Sequence, residues 1–327
     1  MVNTDGHSVA VAFALNAGAG FATVLGGMVV FSSRLMRLTD PVCLAVALSI
    51  SAGVMVFISL VEIFGKSVEL LTKGIKNDSM TEETATGHAW LSATACFGVG
   101  ILLIYGIDII VQKISPETEA IELENLELRG SLDNYEKSFT DVEGKLSPAY
   151  MEAQSPVSTS STNAKMADNT RNQLVRMGLL TALALGLHNI PEGITTYVGA
   201  IEDSSVGISL AIGIGLHNIP EGIAVAAPIY FATGSRWKGV MWCAISAIAE
   251  PFGGLLAWAV IGGGLAPVGE GILFGVVCGI MVCICVKELW PTAYKFAGGR
   301  THLVAVGTFA GMFIMVTSLI LFGYAGA

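Results

Sequence analysis

The residues best able to do chemistry in this chain come as a duplicate. The stretch Gly-Leu-His-Asn-Ile-Pro-Glu-Gly-Ile runs from Gly186 to Ile194 and recurs unchanged from Gly215 to Ile223. In each copy a histidine precedes a glutamate by four residues: His188 and Glu192, then His217 and Glu221. That spacing puts the two side chains on one helix face. Imidazole nitrogen and carboxylate oxygen together suit zinc and other borderline divalent cations. Asn189 and Asn218 add a neutral oxygen beside each histidine. Pro191 and Pro220 lack a backbone N–H, which frees the carbonyls of Leu187 and Leu216 and predicts a broken or strained helix at each block. A third carboxylate, Glu250, is again followed by a proline, Pro251, and leaves room for a second cation beside the first.

The elements that carry these residues are apolar. Only 13% of the chain is charged and 53% is hydrophobic, whereas a soluble domain carries about 25% charged residues. This is the composition of a polytopic membrane protein, and nothing in it suggests nucleic-acid binding. Crossing the hydrocarbon core takes about 20 residues of helix. Eight segments qualify: Val9–Phe31, Val42–Phe64, Ala89–Val111, Leu174–Ala200, Val206–Phe231, Val240–Ile261, Gly271–Leu289 and Leu303–Tyr324. The two blocks then fall near the middle of spans four and five. An ionisable residue at that depth costs several kcal/mol and marks function by default. For Glu250 alone, a structural hydrogen bond inside the bundle is the competing reading.

Connections after odd-numbered spans hold 14 of the 17 Lys and Arg residues. By the positive-inside rule these connections are cytoplasmic and both termini are extracellular or lumenal, in the plasma membrane or an endomembrane. The segment Gln112–Gln173 is acidic, then rich in Ser and Thr, and cannot bury enough apolar surface to order itself. The chain thus divides into residues 1–112 (spans one to three), 113–173 (a cytoplasmic, mostly disordered loop), 174–231 (the central pair) and 232–327 (spans six to eight). The start, Met-Val-Asn-Thr-Asp-Gly-His-Ser, is acidic and does not read as a cleavable signal.

A second repeat is weaker. Gly53–Phe64 in span two matches Gly279–Trp290 in span seven at Gly, Met, Val, Ile and Glu positions. Both repeats relate spans that run in opposite directions, so the predicted fold is all-α: eight transmembrane helices in a 3+2+3 arrangement with inverted repeats. Such repeats around a midplane site recur in secondary transporters. The second repeat pairs Glu62 with Glu288, read either as carboxylates at the outer and inner mouths or as interfacial carboxylates at helix ends, and Met55 with Met281, whose thioethers read as core filler. Gly271, Gly275 and Gly279 form a small-residue stripe for close helix packing or a dimer contact. His7, His88 and His302 read as solvated histidines near span ends, and Asp108 as an inner-end carboxylate. The six cysteines read as buried thiols, although Cys283 and Cys285 could also hold a soft metal.

At these residues the chain resembles the ZIP (Zrt/Irt-like) family of divalent metal transporters, and its GufA-like branch in particular. The resemblance rests on His-Asn-x-Pro-Glu-Gly in spans four and five, Gly-x-Met in span two and Glu-Pro in span six. It implies a binuclear site. One ion would meet Met55, His188, Glu192, His217 and Glu221; the other would meet Asn189, Glu192, Asn218, Glu221 and Glu250. Met55 becomes a ligand only on this resemblance. The family also implies metal movement toward the cytoplasm, elevator-like sliding and homodimers. The chain departs from many members in its third loop, which contains no histidine.

The expected function is ATP-independent zinc transport by alternating access, since no Gly-x-x-x-x-Gly-Lys-Ser/Thr motif is present. Zinc is the expected substrate, with iron, manganese, cadmium, cobalt and copper compatible with the same donors. No organic cofactor is expected, and the other partners are membrane lipid and a second copy of the chain. The alternative is an intramembrane zinc hydrolase with Glu192 or Glu221 as base. Against it, there is no His-Glu-x-x-His, and paired ligands are not a requirement of catalysis.

Overall fold

The computed structural model describes residues 6–77, 79–114, 186, 188–201, 204–261 and 266–325. Apart from short 3₁₀ turns at Met28–Phe31 and Leu35–Thr39, the described residues form eight helical runs and no strand: α1 (Gly6–Gly27), α2 (Pro41–Ile75), α3 (Glu82–Ile114), α4 (188–201), α5 (Ser204–Thr233), α6 (Arg236–Ala247, resumed at Ala249–Ile261), α7 (Pro267–Ala297) and α8 (Thr301–Ala325). Seven of them, all but α4, are long and apolar enough to cross a membrane. The molecule is an all-α polytopic membrane protein. Most of the 113–173 loop and the side chain of Asp108 lie outside the described residues.

Helix ends follow local chemistry. Asp40 accepts from the backbone N–H groups of Val42 and Cys43, with Pro41 at the first helical position of α2. Gly298, with φ of 60°, ends α7 in the left-handed region. Several helices outrun the apolar segments that predict them. α2 continues past Phe64 because Val68 and Leu71 pack on Ala89 and Ala93 of α3, while Glu69 pairs with Lys66 and Lys73 on the outer face.

The prolines of the two blocks do not break their helices. α5 runs through both Pro220 and Pro228, and residues 188–201 are helical through Pro191. One missing N–H per proline leaves the described helices continuous. The interruption falls instead in α6, at Ile248, three residues before Pro251. π-helical turns occupy Ile58–Ile63 in α2 and Cys285–Leu289 in α7. These are near-equivalent places in the second repeat, and each contains its mouth glutamate, Glu62 or Glu288. Such turns often mark functional positions.

Glycines set how closely the helices approach. A Cβ on Gly26 of α1 would collide with the carbonyl of Ile219 in α5, and one on Gly222 with the carbonyl of Thr23. Gly253 of α6 and Gly193 of α4 stand in the same reciprocal relation to the carbonyls of Ile190 and Glu250. α2 and α8 cross likewise at Gly53 and Gly311, and α3 and α7 at Gly100 and Gly279. Only a residue without a side chain lets two backbones meet at this range. The four crossings form two matched sets: α1–α5 with α6–α4, and α2–α8 with α7–α3. In each set the paired glycines hold equivalent sequence places, as do the carbonyls they meet.

The stripe Gly271, Gly275 and Gly279 is consumed inside this packing. Gly271 lies against Ser67 and Leu71 of α2, Gly275 against Cys96, and Gly279 against Phe97. It is buried within one chain, so it does not offer the dimer contact suggested by its spacing.

Candidate metal centre

Each duplicated block has a glycine after its glutamate, and the crossings explain why. Gly193 brings α6 onto α4 at Glu250, and Gly222 brings α1 onto α5 at Thr23. The blocks thereby become the centre of a four-helix group whose polar residues are sealed from outside. His188, Asn189, Glu192, His217, Asn218, Glu221 and Glu250 are all buried, whereas Leu216 and Ile219 on the other face of α5 are exposed.

Glu192, His217 and Glu221 each offer a ligand atom within 4.8 Å of the other two. Among the described residues no other group of three or more His, Cys, Asp or Glu comes together in this way. The Nδ1 of His217 lies 3.1 Å from the Gly213 carbonyl, and Nε2 lies 2.9 Å from Oε1 of Glu192. A neutral ring that donates from Nδ1 turns the Nε2 lone pair toward the carboxylate. Two lone pairs at 2.9 Å repel unless a proton or a metal cation lies between them. Two buried carboxylates so close together create the same demand for positive charge. A tetrahedral zinc about 2.0–2.1 Å from each donor sets donors roughly 3.4 Å apart, within reach of small side-chain adjustments here.

A second group lies alongside. The Nδ2 of Asn218 donates to Glu250 Oε2 at 3.0 Å and to the Ala19 carbonyl at 3.1 Å. Asn189 donates to the Ser246 carbonyl at 3.3 Å. Five oxygens, Oδ1 of Asn189 and Asn218, Oε2 of Glu192 and Glu221 and Oε1 of Glu250, are buried with no hydrogen-bond partner among the described residues. Buried polar atoms are nearly always satisfied. These five oxygens, on α4, α5 and α6, are atoms that a cation could satisfy.

The other predicted site residues are placed differently. His188 is not among the three clustered donors, and its Nε2 pairs with Glu288 Oε2 at 3.0 Å. The resemblance would seat it with Glu192 and Glu221. Met55 is fully buried in the apolar core with Met281, one turn along α2 from Ser51, which donates to the His217 carbonyl at 3.1 Å. Glu62 stays partly exposed and outside the cluster. Cys283 and Cys285 are buried free thiols and join no ligand group among the described residues. His7, His88 and His302 are exposed. Sequence reasoning missed the contribution of α1. Asn16, buried, donates to the Gly193 carbonyl at 2.7 Å, and Cys243 of α6 does the same for Gly222 at 3.2 Å. The available signal was an asparagine in the middle of an apolar span.

Comparison with known proteins gives the family. The model of the ZIP zinc transporter family matches residues 10–319. A zinc transporter ZupT of Nitratidesulfovibrio vulgaris is 37% identical over 97% of this chain and 99% of its own length. One of Streptococcus mutans is 37% identical over 95% and 97%, and one of Lysinibacillus sphaericus is 38% identical over 97% and 99%. With a match of that extent, the chain belongs to the ZIP zinc transporter family.

Proposed function

We propose that the protein carries zinc across the membrane into the cytoplasm, through a midplane site built from the two duplicated blocks. The observation that carries the reading is the buried cluster of Glu192, His217 and Glu221 flanked by five unsatisfied oxygens. The names of the relatives, all zinc transporters over nearly their whole length, support zinc as the substrate. Membership in a transporter family sets aside the hydrolase reading.

The site takes two ions. The first meets Glu192, His217 and Glu221, with His188 and Met55 completing its shell at some stage of transport. The second meets Asn189, Asn218 and Glu250, with Glu192 and Glu221 shared. Glu62 and Glu288 serve the outer and inner mouths. Inverted repeats supply the alternation: the matched glycine crossings tie α1 to α5 and α4 to α6, with α1 and α6 meeting at Gly20 and Gly254, and tie α2 to α8 and α3 to α7, with α2 and α7 meeting at Gly271. The first of these groups carries the metal and moves against the second, without ATP. Both termini lie outside the cytoplasm.

The test is accumulation of radioactive zinc by uptake-deficient cells expressing the protein, beside a variant with His188, Glu192, His217 and Glu221 changed to Ala. Surface expression is measured for both. Accumulation in the wild type alone, at equal expression, supports the reading. Wild-type protein at the surface that moves no zinc refutes it.

A further inference from the structure

Buried hydroxyls in these helices find acceptors in two ways, and Ser51 and Ser67 donate to the carbonyls of His217 and Gly271 on other helices. Ser49, Ser59, Thr195 and Thr308 each donate to the carbonyl four residues back. Thr23 of α1 is fully buried, yet its Oγ1 has no hydrogen-bond partner among the described residues. Its local acceptor would be the Ala19 carbonyl, which accepts from Asn218 Nδ2 at 3.1 Å. The same Asn218 amide group holds Glu250 Oε2 at 3.0 Å. Gly20, next along that face, lies so near that a Cβ on it would stand 3.1 Å from Glu250 Oε2. The stretch of α1 from Ala19 to Thr23 is therefore a wall of the Asn218–Glu250 side of the site.

Thr196, Ser209 and Ser246 also have unsatisfied hydroxyls. Thr23 differs from them in its place in the repeat. Gly222 crosses over the carbonyl of Thr23 as Gly193 crosses over the carbonyl of Glu250. Thr23 thus holds in α1 the position that Glu250 holds in α6. The bland reading, a threonine used as a small packing residue, leaves a buried hydroxyl without a partner, which native structures avoid.

We propose that the Thr23 hydroxyl is a further oxygen donor to the transported metal, opposite Glu250 and beside Asn218. The proposal rests on the metal-transport reading above. One half of the site then offers a carboxylate and the other a neutral hydroxyl, which gives the cation an uneven seat.

The test is equilibrium dialysis of the detergent-purified full chain with radioactive zinc and, separately, radioactive cadmium. T23V keeps the side-chain volume and loses the hydroxyl, so it should bind zinc about tenfold more weakly, while T23S stays close to wild type. T23C places sulfur where oxygen stood and should shift preference toward cadmium. A folded T23V with wild-type zinc affinity overturns the proposal, as does a T23S as weak as T23V, which would make the methyl group the important part. Should T23V not fold, a T23C with an unchanged cadmium-to-zinc preference overturns it equally. A wild type that binds neither metal removes the transport reading and this inference with it, whereas wild-type binding unaffected by T23V removes this inference alone.

Discussion

Replacing Gly26 and Gly222 by alanine, singly and together, tests whether the helix crossings hold the site in place. A Cβ at either position lands inside the carbonyl of the facing helix, at Ile219 or Thr23, and backbone cannot swing aside as a side chain can. α1 and α5 must separate, and overpacking of this kind costs about 1–3 kcal/mol. Once one alanine has opened the crossing, the second finds room. The double variant should then cost little more than either single, a coupling of about 1–2 kcal/mol. G26A combined with G253A samples two separate crossings, so those costs should add. A Cβ on Gly18 or Gly98 would meet nothing within 4 Å; alanine there should be neutral or stabilise by up to about 1 kcal/mol through helix propensity. The assay is unfolding in mixed micelles titrated with denaturing detergent, followed by far-ultraviolet circular dichroism. Additive costs for G26A and G222A, or equal damage from G18A, would refute the reasoning.

The contact between His217 and Glu192 predicts competition between proton and metal. Zinc binding should release about one proton per ion, read with an indicator dye in weakly buffered detergent solution, and affinity should tighten as pH rises; binding without proton release contradicts the proposed geometry. The His188–Glu288 pair predicts a coupling of about 1 kcal/mol in a double-mutant cycle of H188A and E288A, by the same unfolding assay. The symmetry-equivalent cycle of H217A and E62A should show none, and equal coupling in both would show that the two halves are alike in chemistry.

The apolar segments were legible because lipid demands long runs without charge, and a polar block repeated inside two of them stands out against that demand. The trio Glu192, His217 and Glu221 follows from helix spacing plus the repeat. The partner of His188 does not: its choice of Glu288 over the cluster depends on how α4 and α7 face each other, which no local pattern encodes. The expected disruption at Pro191 and Pro220 failed because periodicity and proline rules describe an isolated helix, and these helices are held by close crossings at Gly193 and Gly222. Asn16 and Thr23 look in sequence like ordinary small polar residues of a transmembrane helix. Their significance appears only once Gly193 and Gly222 pull α6 and α1 against the site.

The repeat is kept in the frame and broken in the chemistry. All eight crossing glycines have a partner at the equivalent place in the other half, so the backbone scaffold treats the two halves alike. The side chains do not. Glu288 holds His188, while its counterpart Glu62 leaves His217 to Glu192. Glu250 is matched by Thr23, Asn16 by Cys243, and Cys285 by Ser59. On the transport reading these differences have separate consequences. A symmetric frame has two arrangements of similar energy, which alternation requires, because neither face is favoured by packing. Unequal side chains then set which mouth holds the cation and which releases it. A seat with identical halves would bind the ion equally from either side, whereas Glu288 paired to His188 leaves a partly exposed carboxylate beside one duplicated block and none in contact with the other histidine. On that reading the direction of transport follows the metal gradient, and these few unmatched residues set the ease of loading and of release at each face.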